Sequence, residues 1–413
     1  MAKGKMKTQG QKVCLLNLTT TTKQGGVETF VWELGRELAA RGYAVTVVGG
    51  RGPIRHDYPG VQVRTHRFIS REGWRRLPLL GRQYGLTKLL ERLSFAVFAL
   101  PALLRARYDV IHIQKPYDLP LAAVARWLTR ARLLFGCHGR DYWAGDRFFV
   151  RFVDGAVSCS RFNAAEIHDH YRLHPQVVYN GFDTQLFSPR PPAAELMARY
   201  GPKMILFMGR LIRWKGAQYL IEALALGKEV GDPLADAQVV IAGDGSYRPQ
   251  LEALARELGV AERVSFVGDI PHSDAPRYMA SAAVVVGTSF ANETFGMVLC
   301  EASACARPLV ASDFGGFPEV VRAGESGLLY PPQDAPALAA ALRRILSDPA
   351  AAATLGAAGQ QYVNANFTWA VVTDRVVAAY ERVVVEGRQG LATVTISATL
   401  RQCAGENLAL VAQ

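Results

Sequence analysis

The 413-residue sequence holds no Asp-x-Asp, no His-Glu-x-x-His and no Cys-x-x-Cys, so no metal site is indicated. It carries no Walker phosphate loop and no Gly-x-Ser-x-Gly elbow, which argues against a P-loop nucleotidase and a serine hydrolase. No Gly-x-Gly-x-x-Gly opens its first strand–helix turn, which disfavours a nicotinamide dehydrogenase. The six cysteines, Cys14, Cys137, Cys159, Cys300, Cys305 and Cys403, include no Cys-x-x-Cys, and four lie in apolar segments. Reduced, buried thiols in a cytosolic protein are the expectation. The longest apolar helix-like run, residues 93–104, is too short to span a bilayer. No signal-peptide pattern precedes the first strand. Acidic residues are scarce in the front half: through Arg190 there are 29 Lys or Arg against 14 Asp or Glu, and beyond it 18 against 22. A front half of net +15 is suited to an anionic partner. With no nucleic-acid-binding signature present, an anionic membrane surface fits better than nucleic acid.

What is present is half hydrophobic, which permits sizeable cores and excludes a disordered class. Short apolar runs at 13–18, 44–48, 61–63, 110–113, 133–137 and 156–159 alternate with amphipathic segments. Val27, Phe30, Val31, Leu34 and Leu38 recur at helical spacing between the first two runs, and Gly42 follows as a helix stop. This is βαβ grammar, hence a parallel sheet. A turn cluster from Tyr179 to Asp183 and prolines at 189, 191 and 192 interrupt it. A second unit then begins at Lys203, with strand patterns at 204–208, 239–242, 264–267, 282–286 and 309–312. Two Rossmann-like α/β domains are expected: residues 1–184, and 190–367 after a linker. A last amphipathic helix follows over 368–385, and the tail 386–413 has no period and no assigned role.

The most informative segment is Glu293-Thr-Phe-Gly-Met-Val-Leu-Cys-Glu301, after the apolar run ending at Gly287. Eight helical residues turn about 800°, roughly 80° beyond two full turns, so the two carboxylates cannot share one stripe. Glu293 is therefore placed in a turn and Glu301 two turns inside a helix. Phe295-Gly296 then mark a helix N-terminus, which attracts anions. Ligands bind at such strand-end edges in open α/β sheets. The plain reading, a solvated Glu301 and a Glu293 complementing the helix dipole, stands beside it.

Other constellations also follow strands. Gly25-Gly26 lets the backbone approach a phosphate, or is an ordinary tight turn. Arg210 offers a planar fork and Lys215 a point charge, enough to neutralise a departing diphosphate; otherwise both are solvated. His138 suits a hydroxyl contact or proton transfer, or a structural role. His112 reads as packing near the site. Gly243-Asp244-Gly245 contacts a nucleotide or merely turns the chain. Phe314-Gly-Gly-Phe-Pro-Glu319 places a proline at a helix start.

Taken in order, these motifs resemble the retaining glycosyltransferases of the GT-B fold, specifically glycosyltransferase family 4, over roughly residues 12–385. Two departures are Ala306-Arg307-Pro308, where a glycine is usual, and His138-Gly-Arg-Asp141, where His-Asp is commoner. The resemblance implies two domains facing across a cleft, with the last helix crossing back to the first. It implies retaining, metal-independent transfer from a nucleotide-diphosphate sugar, needing no other cofactor, to a glycolipid, lipid-linked or polysaccharide acceptor. Arg210 and Lys215 then bind the diphosphate, Glu301 the ribose, and Glu293 the donor sugar beside the amides of Phe295 and Gly296. His138 contacts the sugar, Gly25-Gly26 approach the phosphates, and Gly243 lies on the donor side. The first domain then binds the acceptor. There, residues 71–80 with Arg82 and Lys88 mix cations and apolar groups in a way that fits a membrane at the inner face of the cell, or a core helix with solvated arginines. A same-fold epimerase or phosphorylase, and a non-catalytic sugar- or membrane-binding subunit, are the alternatives.

Overall fold

The computed structural model describes residues 10–54, 56–76, 84–227 and 229–389. Two parallel sheets dominate it. The first runs β3-β2-β1-β4-β5-β6-β7, from β1 (Lys12–Leu16), β2 (Ala44–Gly50), β3 (Val61–His66), β4 (Val110–Ile113), β5 (Arg132–Cys137), β6 (Gly155–Ser158) and β7 (Gln176–Val177). The second runs β10-β9-β8-β11-β12-β13, from β8 (Met204–Met208), β9 (Gln238–Ala242), β10 (Val264–Gly268), β11 (Val284–Gly287), β12 (Leu309–Ser312) and β13 (Leu328–Tyr330). The central strands read as unbroken apolar runs because helices cover both faces, as parallel sheets require. Met204, Ile205 and Leu206 of β8, and Val13, Cys14, Leu15 and Leu16 of β1, are all fully buried.

The first helix, Gly26–Ala40, follows the expected rhythm. Phe30, Val31, Leu34 and Leu38 are buried, and Gly42 stops it at φ 85°. In each sheet the chain reverses direction beside its first strand, at β1/β4 and at β8/β11. Those reversals open crevices at the strands' carboxyl ends, and the segments after β8 and β11 meet there.

The last helix, Trp369–Gln389, returns to the first sheet. Trp369, Val372, Val376, Tyr380 and Val383 pack among Val13, Phe30, Leu34, Leu134 and Val157. Burying five such side chains contributes on the order of 10 kcal/mol. The Tyr380 hydroxyl lies 2.9 Å from His112 Nδ1, and burial holds this imidazole neutral, its pKa lowered to about 3. His112 is thus a packing residue, as expected. Phe182 N–H donates to Phe367 O at 3.1 Å, so the two chain crossings between the sheets lie side by side.

One reading of the front half needs correcting. Lys88 is not a surface cation: it is buried, ion-paired to Asp141, and lies 4.4 Å from the Tyr117 ring centroid. Its neighbour Arg92 is also buried, with both Asp118 carboxylate oxygens 2.7 Å from its Nη1. Of the basic segment, residues 71–75 form a short helix; residues 77–80 and Arg82 lie outside the described residues, as do Cys403 and the tail from 390 onward. The other five cysteines are free and buried. Among the described residues, no helix is long and apolar enough to cross a membrane.

Candidate active site

A cavity of about 350 Å³ opens between the two sheets. Its second-domain wall starts where β8 ends. Arg210 is exposed there, its guanidinium 5.9 Å from the Trp214 ring centroid. A short turn, Arg213–Lys215, carries Lys215 to Gly216, whose φ is 75°. A Cβ at Gly216 would lie 2.0 Å from Thr288 O, and Thr288 Oγ1 donates to Lys215 O at 2.7 Å. The loops after β8 and β11 are thereby locked together.

That lock sets the central contact. Lys215 Nζ lies 2.6 Å from Glu293 Oε2, and Ser289 Oγ donates to the same oxygen at 3.0 Å. Glu293 is buried on the cavity wall. Its backbone carbonyl is held from behind, accepting Gly316 N–H at 3.1 Å. Gly315, with φ 64°, has no room for a side chain, since a Cβ there would meet that carbonyl at 2.0 Å. Phe295 and Gly296 continue the wall, and Gly296 caps the helix Met297–Ala304 at φ 101° without a side-chain capping bond. The free amides of that helix start face the cavity and favour an anion.

Glu301 lies about one turn inside this helix, not two, because the helix begins at Met297. It is buried away from the cavity lining, and its nearest cationic partner is His272 Nε2 at 4.0 Å. Burial without a close counter-charge raises its pKa to about 8. Gly243 also stays off the lining: its φ is 129°, and a Cβ there would sit 2.1 Å from Gly209 O. Glycine is needed at that position so that the turns after β8 and β9 can touch.

The first-domain wall is Gly26, Val27 and His138. Gly26 begins the first helix with open space around its Cα, whereas Gly25 lies behind it, 2.7 Å from Glu28 Oε2 if given a Cβ. Gly25 does not line the cavity. His138 Nε2 lies 2.8 Å from Gln114 Oε1, and its ring meets Phe30 edge-on at 4.7 Å. Burial, reinforced by the Lys115 ammonium, lowers its pKa to about 3. His138 is a neutral hydrogen-bonding group here.

The structure therefore brings Gly26, His138, Arg210, Lys215, Glu293, Phe295 and Gly296 together around one space. It adds Trp214 and Ser289, which sequence reasoning passed over, and Asn180, which the sequence placed only in the turn cluster from Tyr179 to Asp183. Trp214 lies between the two recognised cations, and Ser289 is four positions before Glu293 in the same loop, so proximity in the chain was the available signal. Among the described residues, no cluster of three or more metal-ligating side chains occurs.

Two family models match this chain one after the other. Residues 24–186 match glycosyltransferase family 4, and residues 194–362 match glycosyl transferases group 1. The chain belongs to this glycosyltransferase family. It is 26% identical over 401 residues to a D-inositol 3-phosphate glycosyltransferase of Thermobifida fusca, covering 87% of this chain and 89% of that one. It is 36% identical over 199 residues to a GDP-mannose-dependent alpha-(1-6)-phosphatidylinositol monomannoside mannosyltransferase of Mycolicibacterium smegmatis, covering 46% of this chain and 51% of that one. Sucrose-phosphate synthase from Thermosynechococcus elongatus has the same fold, with a TM-score of 0.73 at 24% identity, covering 91% of this chain and all of that one. This glycosyltransferase thus has the GT-B fold and uses nucleotide sugars.

Proposed function

We propose that this glycosyltransferase moves a hexosyl group, with retention and without a metal, from a nucleotide-diphosphate sugar to a glycolipid, lipid-linked or polysaccharide acceptor. The observation that carries the reading is the Lys215–Glu293 contact on the wall that also holds Arg210. Glu293 orients Lys215 through Oε2 and offers Oε1 to donor-sugar hydroxyls. Lys215 and Arg210 take up charge as the diphosphate departs, and the open amides at Phe295 and Gly296 assist. These cations do the work that a divalent ion does elsewhere. Glu301, deeper in the same wall, is assigned to the ribose hydroxyls. Gly26 approaches the phosphates from the opposite wall, and Gly25 shapes the turn behind it.

In the step itself, the bond from the anomeric carbon to the diphosphate oxygen breaks and the electron pair leaves with the diphosphate. The acceptor oxygen bonds to the same face of that carbon, and its proton passes to a diphosphate oxygen. Two features support this route. His138 has its pKa lowered to about 3, so it is a poor base at neutral pH and serves by hydrogen bonding to the sugar. The Glu293 oxygen facing Lys215 is already engaged by Lys215 and Ser289. Nucleotide release from a panel of nucleotide sugars tests the reading, with Glu293→Ala and Lys215→Ala as controls. Product analysis separates it from its alternatives: transfer yields a glycoside, epimerisation returns a nucleotide sugar, phosphorolysis yields a sugar phosphate, and a binding subunit yields nothing.

A membrane surface beside the acceptor side is favoured by a further observation. Most of the exposed large apolar side chains fall in the first domain, on the helices Tyr84–Ala106, Leu119–Thr129 and Asp146–Val150: Val97, Phe98, Trp127, Leu128 and Phe148. Trp127 is 76% exposed and Val97 71%. Arg130, Arg147 and Arg151 lie close by in the chain, so the face pairs apolar groups with cations, as a peripheral contact with anionic lipid requires. It supports a peripheral position at the inner face of the cell membrane.

A further inference from the structure

The helix Arg161–Tyr171 belongs to the first domain, yet its N-terminus is completed by the second. A helix start leaves four N–H groups to be satisfied. Asn163 N–H reaches Ser160 Oγ at 2.9 Å, and Ala164 N–H opens the regular helix ladder by reaching Ser160 O at 2.9 Å. The first two helical N–H groups go across the cleft. Arg161 N–H donates to Glu319 Oε2 at 2.8 Å, and Phe162 N–H to Glu319 Oε1 at 2.9 Å. A carboxylate at this end also meets the helix dipole favourably. The Tyr179 hydroxyl, from the segment joining the two sheets, donates to Glu319 Oε2 at 3.0 Å. The Phe162 and Phe314 rings touch alongside, with centroids 5.8 Å apart.

Glu319 is mechanically joined to both walls of the cavity. It sits on the short helix Phe317–Val320, directly after Gly316, whose N–H holds the Glu293 carbonyl. On the other side, Asn163 Nδ2 donates to Cys137 O at 2.9 Å, and His138 is the next residue. A continuous path therefore runs from Glu293 through Gly316, Glu319, the helix start and Asn163 to His138. We propose that Glu319 is a positioning residue of the transfer reaction: its carboxylate latches the two domains in the closed arrangement that brings His138 opposite Glu293 and Lys215. Opening the cleft leaves the Arg161 and Phe162 N–H groups to water, so closure is coupled to completion of the helix cap. This inference rests on the transferase reading for its kinetic consequences only.

Two variants from opposite sides test it. Glu319→Gln sets an amide NH₂ against one of the two N–H donors. Arg161→Pro deletes the other side's donor at the first helical position, where proline is well tolerated, after a Ser160 that is already extended at φ −163°. Each variant is expected to lower kcat by about tenfold or more, the effect of losing a charge-assisted contact. Binding of GDP, UDP or ADP to the second-domain wall should change by less than about threefold. The double variant should be no slower than the worse single one, since both break one latch. Small-angle scattering of the protein without donor should show a larger radius of gyration in both variants. Unchanged kcat in both, or multiplicative losses in the double variant, overturns the proposal. If the unmodified protein turns over no nucleotide sugar, the transferase reading fails by itself; the scattering comparison still decides the latch, and equal radii overturn it.

Discussion

Lys215 Nζ and Glu293 Oε2 lie 2.6 Å apart, although they follow different strands of the second sheet. The contact joins the cation assigned to the departing diphosphate to the carboxylate assigned to the sugar. Because they act as one unit, their removal should not be additive. Lys215→Ala and Glu293→Ala are each expected to lower kcat/KM for the nucleotide sugar by about a hundredfold, the scale of losing one transition-state contact. The double variant should lose little more. Steady-state kinetics of the four proteins measure this, and multiplicative losses would show that the pair is not a unit.

Glu301 gives a pH prediction. Burial raises its pKa from 4.5 to about 8, so in this window the folded protein binds a proton that the unfolded chain has released. Stability from this group is present below pH 4.5 and is lost as pH rises to about 8. The loss is at most about 1.4 kcal/mol per pH unit in that window. Glu301→Gln should therefore gain on the unmodified protein as pH rises, in thermal melts from pH 5 to 8. With ribose hydroxyls donating to this carboxylate, as proposed, nucleotide binding by the unmodified protein should also tighten across that range. Parallel melting curves would contradict the assignment of Glu301 as a buried, proton-binding group.

Gly315 presses against the backbone of Glu293 at positive φ. Gly315→Ala should displace that carbonyl and destabilise the second domain by about 1–3 kcal/mol. Donor affinity should fall with it, measurable by calorimetry and nucleotide titration together. Gly26→Ala, with open space around it, should leave melting unchanged.

Arg210 and Lys215 supply the charge for leaving-group departure in this account, so turnover should persist fully in EDTA. Arg210→Ala should lower kcat/KM by about tenfold to a hundredfold, through the lost cation. Loss of activity on chelation, restored by one divalent ion, would contradict metal-independent transfer.

The exposed apolar and basic face of the first domain should bind vesicles containing anionic lipid at low salt and release them at high salt, because salt screens exposed charge. Flotation measures it. Trp127→Ser with Leu128→Ser should weaken binding while leaving nucleotide release in solution intact. An absence of binding at low salt would refute a membrane surface here.

Much of the fold was legible because its central strands are continuous apolar runs and its first helix keeps a 3-4-3-4 rhythm ending at Gly42. The two-residue β7 and three-residue β13 carry too little pattern to be seen. The Glu293–Glu301 spacing correctly separated a turn residue from a helix residue, but Gly296, the cap that sets the helix start, places Glu301 a turn earlier than spacing alone suggested. Lys88 read as one of the cations of a membrane-facing surface, since its partner Asp141 is 53 positions away. Gly243 read as either a nucleotide contact or a turn; its close neighbour is the Gly209 carbonyl in another turn. Local spacing reports periodicity and turns, whereas ion pairing and backbone contacts between loops depend on where the sheets bring distant segments.

The most direct test of the central claim is the anomeric configuration of the glycoside first formed from an α-linked nucleotide sugar, followed by NMR as it appears. The account predicts an α-linked product at the earliest time points. A β-linked product would contradict retaining transfer in the cleft between His138 and Glu293.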